Sequence, residues 1–175
     1  MRLSAKFLML AAGLLFLYAM NSLAQSQPRV VEEFFCRPAA WLTYIITGWP
    51  MEKAENGYSL IGPIKLTVTT ACSAISFFLL STTALILTLA IRCRKWLRWT
   101  IPVILSCYLL TMLLNLLRIL SALQVWFLLP ATLKQFYPVI HLFLGVIIFL
   151  PALVASNWLM IKIFKNKENY CGQSG

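Results

Sequence analysis

Four long apolar segments constrain the fold of this chain more than any other feature of its sequence. They cover residues 7–24, 71–91, 99 to 115 or 118, and 138–161. A helix needs roughly 20 apolar residues to cross the hydrocarbon core of a bilayer. Because 61% of the residues are hydrophobic and only 11% are charged, the chain lacks the polar surface of a soluble domain. The sequence therefore predicts an all-α membrane protein with about four transmembrane helices, in one integral membrane domain over residues 1–175.

The basic residues beside these segments predict the orientation of the chain. They cluster at 2–6, 92–98 and 162–167, and elsewhere they are spread thinly. By the positive-inside rule, these clusters and both termini are cytoplasmic, residues 25–70 form an outer loop, and residues 71–161 contain the three later helices. The first segment also has the pattern of a cleaved signal, which leaves the loop on the same side. Since topology accounts for the net charge of +10, we expect the lipid bilayer, and no nucleic acid, as a partner.

Smaller elements are predicted at the outer membrane surface. Residues 39–49 are apolar but too short to span, so they indicate an interfacial or re-entrant segment. Asn56-Gly57 is a turn signal, and the alternating apolar residues of 64–68 are typical of a half-buried strand. We expect a small β-hairpin that leads into a helix beginning near Cys72. Residues 119–137 are predicted to be a helix or turn lying in the interface.

Three polar side chains reach the same predicted depth on three different helices. Cys72, Arg118 and His141 lie 20, 20 and 21 residues from the nearest cytoplasmic basic residue along their helices. At about 1.5 Å per residue, each lies roughly 30 Å from that side, at the outer boundary of the hydrocarbon core. Ionisable residues inside a membrane protein are candidates for function.

The three residue types together favour nucleophilic chemistry. We expect Cys72 in the first turn of its helix, where the helix dipole favours a thiolate. His141 would act as general base and then general acid, and Arg118 would stabilise a thiolate, an oxyanion or a substrate carboxylate. Three further polar side chains are expected to support this site: Asn115, Ser73 and Ser76. Of these, Asn115 is expected to brace Arg118.

Two other interpretations stay open at this point. A lone cysteine on an apolar helix is more often a small buried residue, so the chain fits a non-enzymatic transporter subunit or assembly partner. A membrane thiol oxidoreductase using Cys36 and Cys72 is less favoured because no CxxC pair is present. With one histidine and no such pair, we expect no metal and no organic cofactor. The remaining cysteines are interpreted as structural or incidental: Cys93, Cys107 and Cys171.

Three motifs in this sequence resemble those of the exosortase/archaeosortase family of membrane cysteine enzymes. They are "TACSAIS" around Cys72, "NLLRI" ending one residue after Arg118, and "HLFLG" beginning at His141. The resemblance covers roughly residues 57–151, and the short length is similar to the exosortase K type. One departure is Ala74, where family members commonly have glycine.

The resemblance implies a thiol protease or transpeptidase of the bacterial inner membrane, with its active site facing the periplasm. Its substrates would be exported proteins with a C-terminal sorting signal, made of a short motif, a transmembrane helix and a basic tail. The family pattern implies Cys72 as nucleophile, with His141 and Arg118 as the other two site residues. The motif recognised and the acceptor of the acyl group stay open.

Overall fold

The computed structural model describes residues 3–92 and 96–171, and this part of the chain is mostly helical. Its α-helices are α1 (Leu3–Ser26), α2 (Pro28–Val31), α3 (Arg37–Thr47), α4 (Ile75–Arg92), α5 (Trp96–Leu128) and α6 (Tyr137–Cys171). A π-helical segment covers Glu32–Cys36, and 3₁₀ turns cover Thr70–Cys72 and Ala131–Phe136. The strands are β1 (Met51–Ala54), β2 (Gly57–Ile61) and β3 (Lys65–Thr69). Cys93, predicted to be incidental, lies outside the described residues.

Two helical stretches of the described chain are long and apolar enough to cross a membrane. They are Leu97–Leu128 and Thr132–Ile163, and Ile75–Ile91 forms a shorter apolar helix. The first predicted segment is helical as well, within α1. Helices α4, α5 and α6 pack against one another in all three pairs, and α1 packs against α4. The described chain therefore has two helices that could cross a membrane by their length and composition, and the count of four spans stays a prediction.

The outer loop folds into a three-stranded sheet rather than the predicted hairpin. The strands pair antiparallel in the order β1-β2-β3. The turn between the first two is Glu55-Asn56 rather than the predicted Asn56-Gly57, because Gly57 already belongs to β2 and pairs with Ala54. One face of the sheet is buried, with Leu60 and Val68 packed against Ala39 of α3 and Ile119 of α5. This burial fixes the end of β3, three residues before Cys72.

Helix α5 does not end at residue 115 or 118 as predicted, and its continuation replaces most of the expected interfacial segment. It runs on to Leu128, so Arg118 lies inside the helix. Ile119, Ala122 and Leu123 are buried there, and the first two of these are at most 3% exposed. The packing of Ile119 and Leu123 against α3 and the sheet stabilises the added turns, and Pro130 lies just beyond the helix end.

Helix α3 covers most of the short apolar segment of the outer loop. It ends at Gly48, which takes φ +70° and donates its N–H to Tyr44 O at 2.7 Å, a common way to end a helix. One face contacts α5 and β2, while Trp41 and Ile45 stay exposed. An exposed apolar face of this kind suits the predicted interfacial location.

Candidate active site

Cys72 lies in a tight turn and not, as predicted, in the first turn of a helix. It is the last residue of the 3₁₀ turn Thr70–Cys72, three residues before α4 begins at Ile75. Ser73 Oγ closes this turn by donating to Thr70 O at 2.6 Å and accepting from Ile75 N at 3.4 Å. Cys72 is therefore presented at the outer end of α4 by a hydrogen-bonded turn, outside the apolar helix.

Ala74 explains why the helix starts late. Its φ is +55°, and it is the one non-glycine residue of the described chain with a positive φ. A left-handed residue cannot continue a right-handed helix, so the break between Cys72 and α4 falls here. This conformation costs an L-residue about 1–2 kcal/mol but costs glycine almost nothing. The glycine expected at this position thus reflects a demand of the backbone, which Ala74 meets under strain.

Cys72 and His141 are in direct contact. His141 lies in the second turn of α6, and its Nε2 is 3.6 Å from Cys72 Sγ, the distance of a hydrogen bond to sulfur. This hydrogen bond is the main reason that the pKa of Cys72 falls to about 7 from its ordinary 9.0, against the opposing effect of burial. The charge of Arg118 lowers the pKa further. About half of the Cys72 thiols are therefore thiolates at neutral pH.

Arg118 reaches the same site and donates a hydrogen bond to the backbone of Cys72. Its Nη2 donates to Cys72 O at 3.3 Å, and its guanidinium lies 5.4 Å from the centre of the Phe149 ring. The side chain is only 8% exposed, and no ion pair to it is found in the described chain. Arg118 thus holds the Cys72 turn and supplies a buried positive charge beside the thiol.

The three supporting residues behave differently from one another. Ser73 closes the Cys72 turn, whereas Ser76 is exposed and lines the same cavity as Cys72. Asn115 is fully buried, and neither its Oδ1 nor its Nδ2 has a hydrogen-bond partner. The predicted brace from Asn115 to Arg118 is therefore not formed as a hydrogen bond.

A cavity of about 540 Å³ extends from the Cys72–His141 contact along α4 and α6. Arg118 and Gly145 lie at its base, and its walls continue to Leu153. That residue is 12 positions beyond His141, or about 18 Å along the helix. The far walls are apolar: Phe77, Leu80, Leu142, Val146, Phe149, Leu150 and Leu153. The site therefore combines a polar end with a long apolar groove.

Sequence reasoning missed two residues of α6 that shape this groove. Gly145 is buried, and a Cβ added there would lie 3.5 Å from Arg118 Nη1. Phe149 stacks on Phe77 with ring centroids 4.7 Å apart and also faces Arg118. His141, Gly145 and Phe149 follow one another at intervals of four, which places them on one helix face. That four-residue spacing from His141 is the sequence pattern that could have identified Gly145 and Phe149.

Cys36 and Cys107, the other cysteines whose side chains the structure describes, do not share the environment of Cys72. Cys36, Cys72 and Cys107 are all free thiols. Burial, with a smaller contribution from Glu32, raises the pKa of Cys36 to about 12, so its thiol is unreactive at neutral pH. In the described part of the chain no cluster of three or more His, Cys, Asp or Glu side chains forms a metal-binding group.

Comparison with known proteins gives one result. A family model described as transmembrane exosortase matches residues 32–158, which is more than half of the 175-residue chain and includes Cys72, Arg118 and His141. No curated protein and no solved structure matches the chain significantly.

Proposed function

Because the chain belongs to the transmembrane exosortase family, we propose that it is a membrane-embedded cysteine transpeptidase or protease. Cys72 is the nucleophile, His141 the general acid and base, and Arg118 the residue that stabilises charge. The observation that carries this proposal is the 3.6 Å contact between Cys72 Sγ and His141 Nε2 at the end of an apolar cavity.

The reaction divides into two steps. In the first, the Cys72 thiolate attacks a peptide carbonyl carbon, and the resulting oxyanion lies near Arg118. The C–N bond then breaks, His141 donates to the leaving amine the proton that it took from the Cys72 thiol, and a thioester to Cys72 remains. In the second step His141 takes a proton from water or from an acceptor, which attacks the thioester carbon and displaces the Cys72 thiolate. No step needs a metal or an organic cofactor.

The substrates proposed are exported proteins that carry a C-terminal sorting signal. Their transmembrane helix would enter sideways from the bilayer and lie along the apolar groove between α4 and α6, which brings the motif above it to Cys72. The groove is suited to this because exposed apolar side chains form its walls, among them Leu142 at 70% and Leu150 at 60% exposure. The protein lies in the bacterial inner membrane with four spans, both termini in the cytoplasm and the site facing the periplasm.

The decisive experiment is co-expression with an exported protein that carries such a sorting signal. The wild type is expected to release a processed product, and Cys72→Ala is expected to release none. Cys107→Ala is the matched control, because it makes the same chemical change at a buried cysteine outside the groove. Processing that persists in Cys72→Ala would overturn the mechanism and favour a non-enzymatic role.

A second variant tests the groove separately from the chemistry. Gly145→Leu places a branched side chain at the base of the groove, beside Arg118. We expect it to abolish processing of helix-bearing substrates while a small reagent such as iodoacetamide still alkylates Cys72. Unchanged processing in Gly145→Leu would exclude this groove as the substrate path but leave the Cys72 chemistry in place.

A further inference from the structure

His141 lacks the hydrogen bond that usually fixes a catalytic histidine. Its Nε2 faces Cys72, but its Nδ1 is buried and has no hydrogen-bond partner. In most histidine sites a carboxylate or carbonyl accepts from the second ring nitrogen and so sets the ring orientation. Something else must therefore hold the imidazole of His141 against the thiol.

Ring contacts connect His141 to the neighbouring segments. Tyr137 lies one turn before His141 on α6, with ring centroids 6.2 Å apart and planes inclined by 30°. Trp126 of α5 meets the Tyr137 ring edge-on, at 4.8 Å and 85°. Lys134 of the 3₁₀ turn then covers the Trp126 ring, with Nζ 4.9 Å from its centre. We name these three residues, Trp126, Lys134 and Tyr137, the outer stack.

The outer stack ties together the three segments that decide where His141 lies. Trp126 is eight residues beyond Arg118 on α5. The outer stack therefore fixes the position of the start of α6 relative to α5, the helix whose Arg118 binds the Cys72 turn. The two aromatic contacts and the cation–π contact all contribute to holding these rings in place. Those contributions are enough to favour one orientation of a ring several-fold.

We propose that Trp126 and Tyr137 are positioning residues that hold His141 Nε2 against Cys72 Sγ, in place of a hydrogen bond to Nδ1. They act through His141 and have no chemical step of their own. The importance of this positioning for catalysis rests on the proposed function. The contact between His141 and Cys72 itself is tested without any substrate.

The test measures how fast iodoacetamide alkylates Cys72 as a function of pH, in the full-length protein, with mass spectrometry to locate the label. The thiolate displaces iodide as its bond to carbon forms, so the rate follows the thiolate fraction. The groups that face Cys72 from its neighbours are His141 and Tyr137 of α6, Arg118 of α5 and Cys36 of the π-helical segment. Trp126→Leu alters only an aromatic side chain, whereas the Tyr137 variants also remove a hydroxyl that faces Cys72, so Tyr137→Phe separates loss of the hydroxyl from loss of the ring.

In both Trp126→Leu and Tyr137→Leu, we expect the midpoint of the curve of alkylation rate against pH to move to higher pH by at least about 0.5 unit. Tyr137→Phe keeps the ring and is expected to keep the wild-type midpoint. Trp158→Leu is the matched control, because Trp158 forms the same kind of contact with Lys162, at 5.0 Å, farther along α6. It is expected to leave the midpoint unchanged.

The same spectra separate misplacement of His141 from unfolding. Cys107 is only 2% exposed, so it is labelled only when the fold opens. A shifted midpoint with Cys107 still protected supports the proposal. An unchanged midpoint in Trp126→Leu and Tyr137→Leu overturns it, and so does a shift that appears only together with labelling of Cys107. Failure of the proposed function would instead appear as a wild type that processes no substrate, whatever the midpoint.

Discussion

Replacement of His141 by alanine tests the Cys72–His141 contact most directly. The variant removes the hydrogen bond at 3.6 Å that holds the pKa of Cys72 at about 7. Without it, we expect the pKa to return toward the ordinary 9.0 of a thiol. At pH 7 the thiolate fraction then falls from about one half to about one hundredth, which is roughly 50-fold.

The rate of alkylation changes less than the thiolate fraction does, and in a characteristic way. A thiolate of higher pKa is more nucleophilic, and with a Brønsted coefficient of about 0.45 a rise of two units makes it roughly eight times more reactive. His141→Ala should therefore react about sixfold more slowly than the wild type at pH 7 and about eightfold faster at high pH. The two pH–rate curves cross near pH 8, at roughly 8.1 on the same arithmetic.

The measured quantity is the rate at which iodoacetamide alkylates Cys72, taken between pH 5 and pH 10 in steps of about half a pH unit. Protection of Cys107 in the same samples shows that the fold is intact, since that thiol is buried. A midpoint that stays near 7 in His141→Ala would refute the reasoning, because Arg118 would then have to hold the pKa of Cys72 low against the effect of burial. A uniform slowing without a crossing would also contradict it.

Three further predictions concern the scaffold of the site. Gly57→Ala is expected to destabilise the sheet by more than about 2 kcal/mol, because Gly57 has a φ of +135° and an added Cβ would collide with Val68 O. Thermal unfolding measures this loss. Gly48→Ala is the milder comparison, because its added Cβ would meet open space. Ala74→Gly should change the free energy of unfolding by less than about 1 kcal/mol, because relief of backbone strain is offset by lost burial and by the greater chain entropy of glycine. Ala74→Val should lower the free energy of unfolding by about 1–3 kcal/mol. Equal stability of the two variants would contradict the strain assigned to Ala74. Hydrogen bonds from Tyr58 at 2.9 Å and Arg37 at 3.0 Å lower the pKa of Glu33 below 4.5. Their stabilising effect is therefore complete above pH 4.5 and lost as the pH falls through the lowered pKa, so Glu33→Gln should flatten this acid limb of the stability curve.

The sequence alone was sufficient to choose the residues of the candidate site. Hydrophobic length identified the membrane helices, and a rise of about 1.5 Å per residue placed Cys72, Arg118 and His141 at one depth. The contacts between Cys72 and the other two residues agree with that placement. Depth is readable from sequence because a membrane fixes one coordinate of every residue in a spanning helix.

Lateral contacts were not readable in this way. No sequence pattern indicated that Arg118 would bind the carbonyl of Cys72 or that Asn115 would lack a partner, because both depend on which faces of the helices are neighbours. The extension of α5 past Arg118 was also missed, because its stabilising contacts come from a distant sheet.

What the sequence by itself determined, then, is the set of apolar segments, the depth of each polar side chain and the residue types available for chemistry. The tertiary structure decided how those side chains are used. It placed Cys72 in a turn ahead of its helix, with Ala74 strained at the break, and left His141 Nδ1 buried without a hydrogen-bond partner. The physical reason is that spacing along a chain fixes position along a helix axis, whereas rotation about that axis and packing between helices are set only when the whole bundle forms.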